Sequence, residues 1–213
     1  SISHGGAIVA LQLRWQRQGQ GWQFTLPALR LQTPDLKAEL SGDGRLPAQG
    51  ALQGRLDIRV PQVAVARVSR YLPAVIGRST LDWLDMALVG GTARNVTARV
   101  EGDFSRFPFG NDAGGRFDVD AEVAGGVLRF DRAWPDITAI DGKFAMRNDH
   151  VLVDAATART AGVALQAVKV RLPDLMTQPA HLLIDGQARG ALPQMLAYTR
   201  SSPVDGWLGG FLS

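Results

Sequence analysis

Arg116-Phe117-Asp118-Val119-Asp120-Ala121-Glu122-Val123 decides the fold, because apolar and charged residues alternate strictly along it. Successive side chains of a β-strand point to opposite faces, so this run predicts a strand with one apolar and one charged face. Similar alternation recurs at positions 36–42 and 95–101. Such repetition predicts a mainly β protein built from one-sided strands.

Turns rich in Gly and Pro divide this pattern into about 11 strands. They are expected at 8–15, 22–31, 36–46, 52–60, 95–101, 116–124, 126–130, 137–147, 150–156, 163–172 and 181–189. In the tenth of these the alternation slips near Ala167-Val168, which indicates a β-bulge. One-sided alternation favours a single long, twisted and curled antiparallel sheet.

The apolar period changes to helical spacing in two places, which predicts short helices near 63–88 and 192–199. Pro73 ends the first helical run, Ser79 is expected to cap a second, and Gly90-Gly91 is expected to stop it. The chain thus divides into N-terminal strands (1–60), a helical insertion (61–91), a second run of strands (92–190) and a C-terminal helix and tail (191–213). Because it begins at Ser1 rather than at Met, we expect 1–213 to be one segment of a larger β domain.

Composition excludes several classes of protein. The 213 residues contain no cysteine, which removes disulfides, thiol catalysis and Cys-ligated zinc. The formal net charge is only +3, and the basic residues are scattered among acidic ones, so nucleic acid is not an expected partner. No apolar run reaches the roughly 18 residues that span a bilayer.

Strand parity places a set of apolar side chains on one face of the sheet. They are Val96, Ala98, Val100, Phe117, Val119, Ala121, Val123, Leu128, Phe130, Ile140, Phe144, Met146, Leu182 and Ile184. The opposite, solvent-facing side is expected to carry Arg99, Glu101, Asp118, Asp120, Lys143 and Asp185.

This apolar face is too large to stay bare. About 11 strands of about 8 residues make a sheet on the order of 50 by 26 Å, or roughly 1,300 Å², whereas the largest apolar patch of a typical monomer is about 300–600 Å². A second sheet, a curl of the same sheet or bound lipid would cover it. The sandwich is the commoner solution for all-β chains.

Candidate catalytic and metal-binding groups do not converge. Asp118 and Asp120 share a strand face and could ligate calcium, but Arg116 and Glu122 lie on the same face, which favours a solvated surface. Neither histidine pairs nor nucleophile motifs have a functional spacing. We therefore expect no catalytic residues, no metal and no cofactor.

Short elements in a specific order resemble one known family, the YhdP-type proteins of the AsmA-like superfamily. The matching elements are Tyr71-Leu72-Pro73, Trp83-Leu84-Asp85, Gly90-Gly91, Gly102-Asp103-Phe104, Phe107-Pro108-Phe109, Trp134-Pro135, Ile140-Asp141-Gly142-Lys143-Phe144 and Ser202-Pro203. The resemblance covers roughly 60–203, and the strands before it match only in general β character.

The resemblance implies a repeating β-groove, the fold of bridge-like lipid transfer proteins, with the apolar face as its lipid-binding side. It implies a periplasmic segment of a non-enzymatic envelope protein that is anchored in the inner membrane by a helix outside this chain. Such proteins move phospholipid between the inner and outer membranes and maintain the outer-membrane barrier. The expected partners are phospholipid and, through the full-length protein, both membranes. The alternative is a structural or adhesive β-sandwich domain with a dry core and no ligand.

Overall fold

The computed structural model describes residues 8–72, 77–107, 109, 114–175 and 181–204. These residues form one open, curled antiparallel sheet of 10 strands, and the order of the strands in the sheet is their order in the chain. The strands are β1 Ile8–Gln18, β2 Gly21–Gln32, β3 Lys37–Leu46, β4 Gln53–Ala64, β5 Leu88–Asp103, β6 Arg116–Leu128, β7 Ile137–Arg147, β8 His150–Thr160, β9 Val163–Leu172 and β10 Leu183–Arg189. The expected single antiparallel sheet is confirmed. Pro73, Pro108 and the predicted tail beyond Val204 lie outside the described residues.

The helical segments lie close to their predicted positions. Val65–Tyr71 is a 3₁₀ helix, α1 is Arg78–Ala87, and α2 is Leu192–Arg200 with a proline in its first turn. The prediction that Ser79 caps α1 is wrong, because Gly77, with φ +88°, is the N-cap residue and no side chain caps the helix. The helix also ends at Ala87, before the glycine pair that was expected to stop it.

Two glycine-containing segments expected to break the pattern are part of long strands. Gly90-Gly91 lies inside β5, and the predicted strands 116–124 and 126–130 join into β6. Gly91 has φ +99°, and a Cβ there would lie 2.6 Å from the Cα of Gly126, so only glycine allows the two strands to approach this closely. Bulges therefore replace the predicted breaks, and the described sheet has 10 strands rather than about 11.

The predicted bulge in β9 is present. Ala167 has a left-handed φ of +50°, and the pairing of β9 with β10 shifts between Asp185 and Gln187. The extra residue lets both flanking segments keep their apolar side chains on the same side of the sheet.

The 3₁₀ helix Val65–Tyr71, α1 and α2 lie at one end of the sheet, here called the helical edge, whereas the short 3₁₀ helix Phe104–Arg106 follows β5 at the opposite end. Antiparallel pairing brings the ends of β4 and β10 to this edge, and the helices follow those strands. The buried cluster lies there too: the 3₁₀-helix residue Val65 packs with Leu36, Ala38, Val63 and Ala93. The 3₁₀ helix thus packs against β4 and β5 at one margin of the apolar face, and Leu40, Val60, Val96 and Ala121 pack against the same cluster.

Candidate functional site

Cross-strand register produces a continuous row of apolar side chains across nine strands. Residues directly opposite one another in an antiparallel pair point to the same face, so successive pairs define the row. Its members, from β1 to β9, are Leu11, Leu29, Leu40, Ile58, Ala98, Val119, Met146, Val151 and Leu172. None of the nine is fully buried. The row is therefore an accessible apolar path rather than a dry core.

A second apolar row runs beside the first on the later strands. It joins Ala121, Phe144, Val153, Val170 and Ile184 on β6 to β10. Ile184 at its end is 62% exposed. Two parallel rows make the apolar face a broad band that crosses the strands, parallel to the direction of their hydrogen bonds.

The opposite face is charged, and its charges alternate in sign from strand to strand. A charged ladder on β4 to β7 consists of four residues that lie opposite one another: Asp57, Arg99, Asp118 and Arg147. The Nε atom of Arg99 lies 2.7 Å from Oδ1 of Asp57, and the Nη2 atom of Arg147 lies 2.6 Å from Oδ1 of Asp120. These pairs compensate the charges of the side that faces water.

The pKa of Asp57 reflects this ladder. Burial opposes ionisation of its carboxyl group, but hydrogen bonds from Arg55 and Arg99 outweigh burial and lower the pKa below its ordinary value. The Nε atom of Arg55 is 2.7 Å from the second carboxylate oxygen. Asp57 is therefore an ionised link between two arginines, which suits structure rather than catalysis.

Most of the predicted apolar residues come together on the apolar face. Besides the members of the two rows, Val100 lies opposite Phe117, Val96 opposite Val60, Val123 opposite Ala93, and Leu128 opposite Leu88. Ile140 also belongs to this side, because a Cβ built on Gly126 would meet both Val123 and Ile140. Phe130 and Leu182 lie outside the paired strands and are 45% and 40% exposed.

The predicted solvent-facing residues take the other parity. Arg99 and Asp118 belong to the ladder, and Asp120 is joined to Arg147. The remaining three lie opposite charged partners, in the pairs Glu101–Arg116, Lys143–Glu122 and Asp185–Lys169.

A β-bulge at Asn95 makes these assignments of residues to the two faces possible. The φ of Asn95 is +50°, and Asn95 and Val96 together oppose the single residue Ala121 in a bulge between Arg94 and Thr97. Its side-chain Nδ2 atom donates to Oε2 of Glu122 at 3.1 Å. The bulge lets Ala93 and Val96, which strict alternation would place on opposite faces, both pack in the buried cluster.

An aromatic cluster at the end of the sheet opposite the helical edge was not anticipated as part of the site. The Phe107 ring makes edge-on contacts with Phe109 and Phe117, with ring centroids 5.7 and 5.0 Å apart. Phe109 is fully buried, and a Cβ on Gly102 would lie 3.4 Å from its ring. Phe117 belongs to the apolar face, so this aromatic wall (Phe107, Phe109 and Phe117) stands on that face.

Sequence reasoning also missed the contribution of the first strands. Leu11, Leu29, Leu40 and Ile58 extend the first row by four strands. The alternation that identified those strands would have been enough to place these residues. Phe107 and Phe109 of the aromatic wall had no such signal, because they belong to the β5–β6 connection, where periodicity carries no information.

The described residues contain no group of three or more His, Asp or Glu side chains arranged to hold a metal ion. Among the same residues, no helix has both the length and the apolar character needed to cross a bilayer.

The sequence of this chain is similar to those of known proteins. The family model described as YhdP protein matches residues 8–213. The chain is 27% identical over 144 residues to the intermembrane phospholipid transporter YhdP of Escherichia coli (strain K12), a match that covers 67% of this chain and 11% of that relative. The chain thus spans about a tenth of the relative's length. No solved structure matches it. An open β-groove and a family match over nearly the whole chain lead to one conclusion: the chain belongs to the YhdP protein family.

Proposed function

We propose that this chain is a segment of a lipid conduit and that phospholipid acyl chains travel along its apolar face. The continuous apolar row across β1 to β9 is the observation that carries the proposal. Each methylene group removed from water lowers the free energy of an acyl chain by about 0.8 kcal/mol. An acyl chain outside the membrane can therefore lie against the accessible apolar band instead of in water.

The apolar row also favours movement of lipid along it over tight binding at one place. Its nine side chains are all apolar, so lipid would form no directional hydrogen bond with them. An acyl chain that shifts from one strand to the next exchanges one set of dispersion contacts for a similar set. The free energy of the lipid along the row would therefore vary little, which is what a conduit requires.

The relative's name supplies the wider setting of the proposal. That protein is an intermembrane phospholipid transporter. We infer the same role for the protein to which this segment belongs: a periplasmic, inner-membrane-anchored, non-enzymatic carrier of phospholipid toward the outer membrane that maintains the permeability barrier. The charged face, with its Asp57–Arg99 and Asp120–Arg147 pairs, would remain in water.

Site-specific photocrosslinking tests this proposal. A photoreactive residue replaces Val119, on the apolar row, in the full-length protein expressed in cells, and the crosslinked lipid is identified by mass spectrometry. We expect phospholipid adducts at this position and none when the same residue replaces Asp120, which points to the other face. Equal yields at the two positions, or no lipid at position 119, would support a structural domain without a ligand instead.

A further inference from the structure

The 3₁₀ helix Val65–Tyr71 carries two arginines beside the apolar face. In such a helix, side chains three residues apart lie one above the other, so the helix has three faces. Val65 and Val68 belong to one of them and pack into the buried cluster on the apolar side of the sheet. Arg67 and Arg70 share another face, so these two arginines lie on the same side of the sheet as the apolar rows.

The remaining face of the helix attaches it to α1. Ser69 on this face is buried, and its hydroxyl group donates a hydrogen bond to the carboxylate of Asp85. Within the described residues, the side chains of Arg67 and Arg70 form no ion pair and no hydrogen bond, although Arg67 is half-buried. Guanidinium groups pair well with phosphate, so this arginine face suits an anionic group that is joined to an apolar one.

The opposite end of the same strands has a different chemistry. β5 ends there against the aromatic wall, where Phe109 packs on Gly102 and the rings have no polar atom. Arg106 is close to this wall in the chain, but Asp103 partly compensates its charge. Hydrogen bonds from Ser105 and, to a smaller extent, the charge of Arg106 lower the pKa of Asp103.

A phospholipid has the same polarity as this stretch of the face, since its phosphate is anionic and its acyl chains end in methyl groups. Val96, next to the 3₁₀ helix, and Gly102, under the wall, are six residues apart on β5, or about 20 Å along an extended strand. In a bilayer one acyl chain takes up about half of the roughly 30 Å hydrocarbon core. A chain that lies parallel to the strands therefore fits between the helix and the wall.

We propose that Arg67 and Arg70 bind the phosphate of the phospholipid on this stretch, so that its headgroup lies at the helical edge and its acyl chains end at the aromatic wall. The inference rests on the proposed conduit function. Arg70 is exposed, and water and salt weaken ion pairs between exposed groups. The arginines would thus orient each lipid without retaining it as it moves from strand to strand.

Labelling with photoreactive lipids tests this orientation. The full-length protein is mixed with vesicles that contain one of two phosphatidylethanolamines, whose acyl chain carries a diazirine either next to the ester carbonyl group or at the methyl end. Labelled residues are located by mass spectrometry after irradiation. We expect the carbonyl-end probe to label the helix Val65–Tyr71 several-fold more than Phe107 and Phe117, and the methyl-end probe to show the opposite preference.

Substitution of both arginines tests their role. Arg67→Gln together with Arg70→Gln removes the two positive charges and leaves unchanged the faces that pack on the sheet and on α1. We expect the carbonyl-end probe to lose its preference for the helical edge in this variant. Arg106→Gln, at the other end of the strands, is the matched control and should leave both preferences as they were.

Other outcomes separate the inference from the proposed function. If both probes label the two ends equally in the protein without substitutions, or if their preferences are reversed, the proposed orientation is wrong although the conduit stands. If the preference persists in the double variant, Arg67 and Arg70 do not bind the phosphate. If neither probe labels this chain, the conduit proposal fails and the inference fails with it.

Discussion

Val119 and Asp120 are neighbours in the chain but belong to opposite faces of the sheet. Val119 lies in the first apolar row, while the Asp120 carboxylate is paired with Arg147 at 2.6 Å. An unpaired charge on an apolar path costs several kcal/mol. We therefore predict that Val119→Asp abolishes transport in the full-length protein while the fold persists.

The matched control for this variant is Asp120→Asn. The side chains of Asp120 and Arg147 are 52% and 43% exposed, and such surface pairs contribute about 0–1 kcal/mol. Outer-membrane permeability in cells that express each variant at equal levels is the measurement. A normal barrier with stable, well-expressed Val119→Asp protein would contradict the conduit.

Asn95 provides a residue-scale test of the fold. Its φ of +50° is accessible to asparagine and glycine but strained for a β-branched residue. We predict that Asn95→Val lowers the free energy of unfolding by about 1–3 kcal/mol, whereas Asn95→Gly costs less.

Chemical denaturation of the purified chain measures the effect of these substitutions. Thr97→Val is the control, because Thr97 is exposed on the same strand and lies outside the bulge. If Asn95→Val were as stable as Thr97→Val, the left-handed conformation at position 95 would not be needed.

Strict alternation gave most face assignments directly, but bulges limited it. A one-residue insertion reverses parity, and positions 95, 139 and 167 all have positive φ without being glycine. The slip at Ala167 was visible because apolar residues changed phase there. Near Asn95 and Ala139 the neighbouring residues are small or polar, so the shift in the alternation of apolar and polar residues is not visible there. The sequence alone therefore does not locate those bulges.

The row of alternating charges on β4 to β7 has a defined pH dependence through Asp57. Because Arg55 and Arg99 lower the pKa of Asp57 in the folded protein, the unfolded chain, with a pKa of about 3.9, binds a proton more readily. The stabilising contribution is therefore complete above about pH 5 and is lost as pH falls through the lower, folded-state pKa.

We predict that Asp57→Asn reduces the free energy of unfolding at neutral pH by up to about 1 kcal/mol and that the difference from the parent chain shrinks below about pH 4. Urea unfolding at several pH values measures this. Asp185→Asn is the control, because the Arg171–Asp185 pair is 55% and 68% exposed and should contribute less. A difference that stays constant down to low pH would show that ionisation of Asp57 is not the cause.

Among the elements, strands were easier to predict than their ends. Side-chain period identifies a strand, but its end depends on which neighbour supplies hydrogen bonds. β5 begins at Leu88 because Leu88 lies opposite Leu128 of β6, a long-range pairing that overrides the local preference of Gly90-Gly91 for a turn. The helix Val65–Tyr71 begins where β4 ends, and its first residue, Val65, packs into the cluster formed with residues of β3 to β5.

For the whole molecule, strand position within the sheet should determine local stability. β5 and β6 have partners on both sides, whereas in the described residues β1 and β10 each pair on one side only. Val9 and Leu11 on β1 are each 57% exposed. We predict that backbone amides of β5 and β6 exchange with solvent most slowly and those of β1 and β10 fastest.

Hydrogen exchange followed by mass spectrometry of the 213-residue chain tests this gradient. Uniform protection across all strands would mean that the sheet opens as a single unit. Fast exchange in β5 would mean that the central pairing is weaker than its register indicates.

The overall architecture was only half determined by alternation. One-sided strands occur in closed sandwiches as well as in open grooves, since in both folds each sheet has one apolar and one solvent-facing side. The two folds differ in whether consecutive strands stay in one sheet. This depends on the turns and on the curvature of the sheet, which the two-residue period of apolar side chains does not encode. The family resemblance favoured the groove, and the single 10-stranded sheet confirms it.

Strand order that follows chain order also bears on how such a molecule forms and how it could change in length. Every β-strand of the described residues pairs with its neighbours in the chain, so the loss of entropy on closing the loops between paired strands stays small. Folding could proceed progressively from one end as the polypeptide emerges. By the same logic, inserting or deleting a complete hairpin would lengthen or shorten the sheet without rethreading it, so that evolution could adjust the span of the protein in increments of about 10 Å.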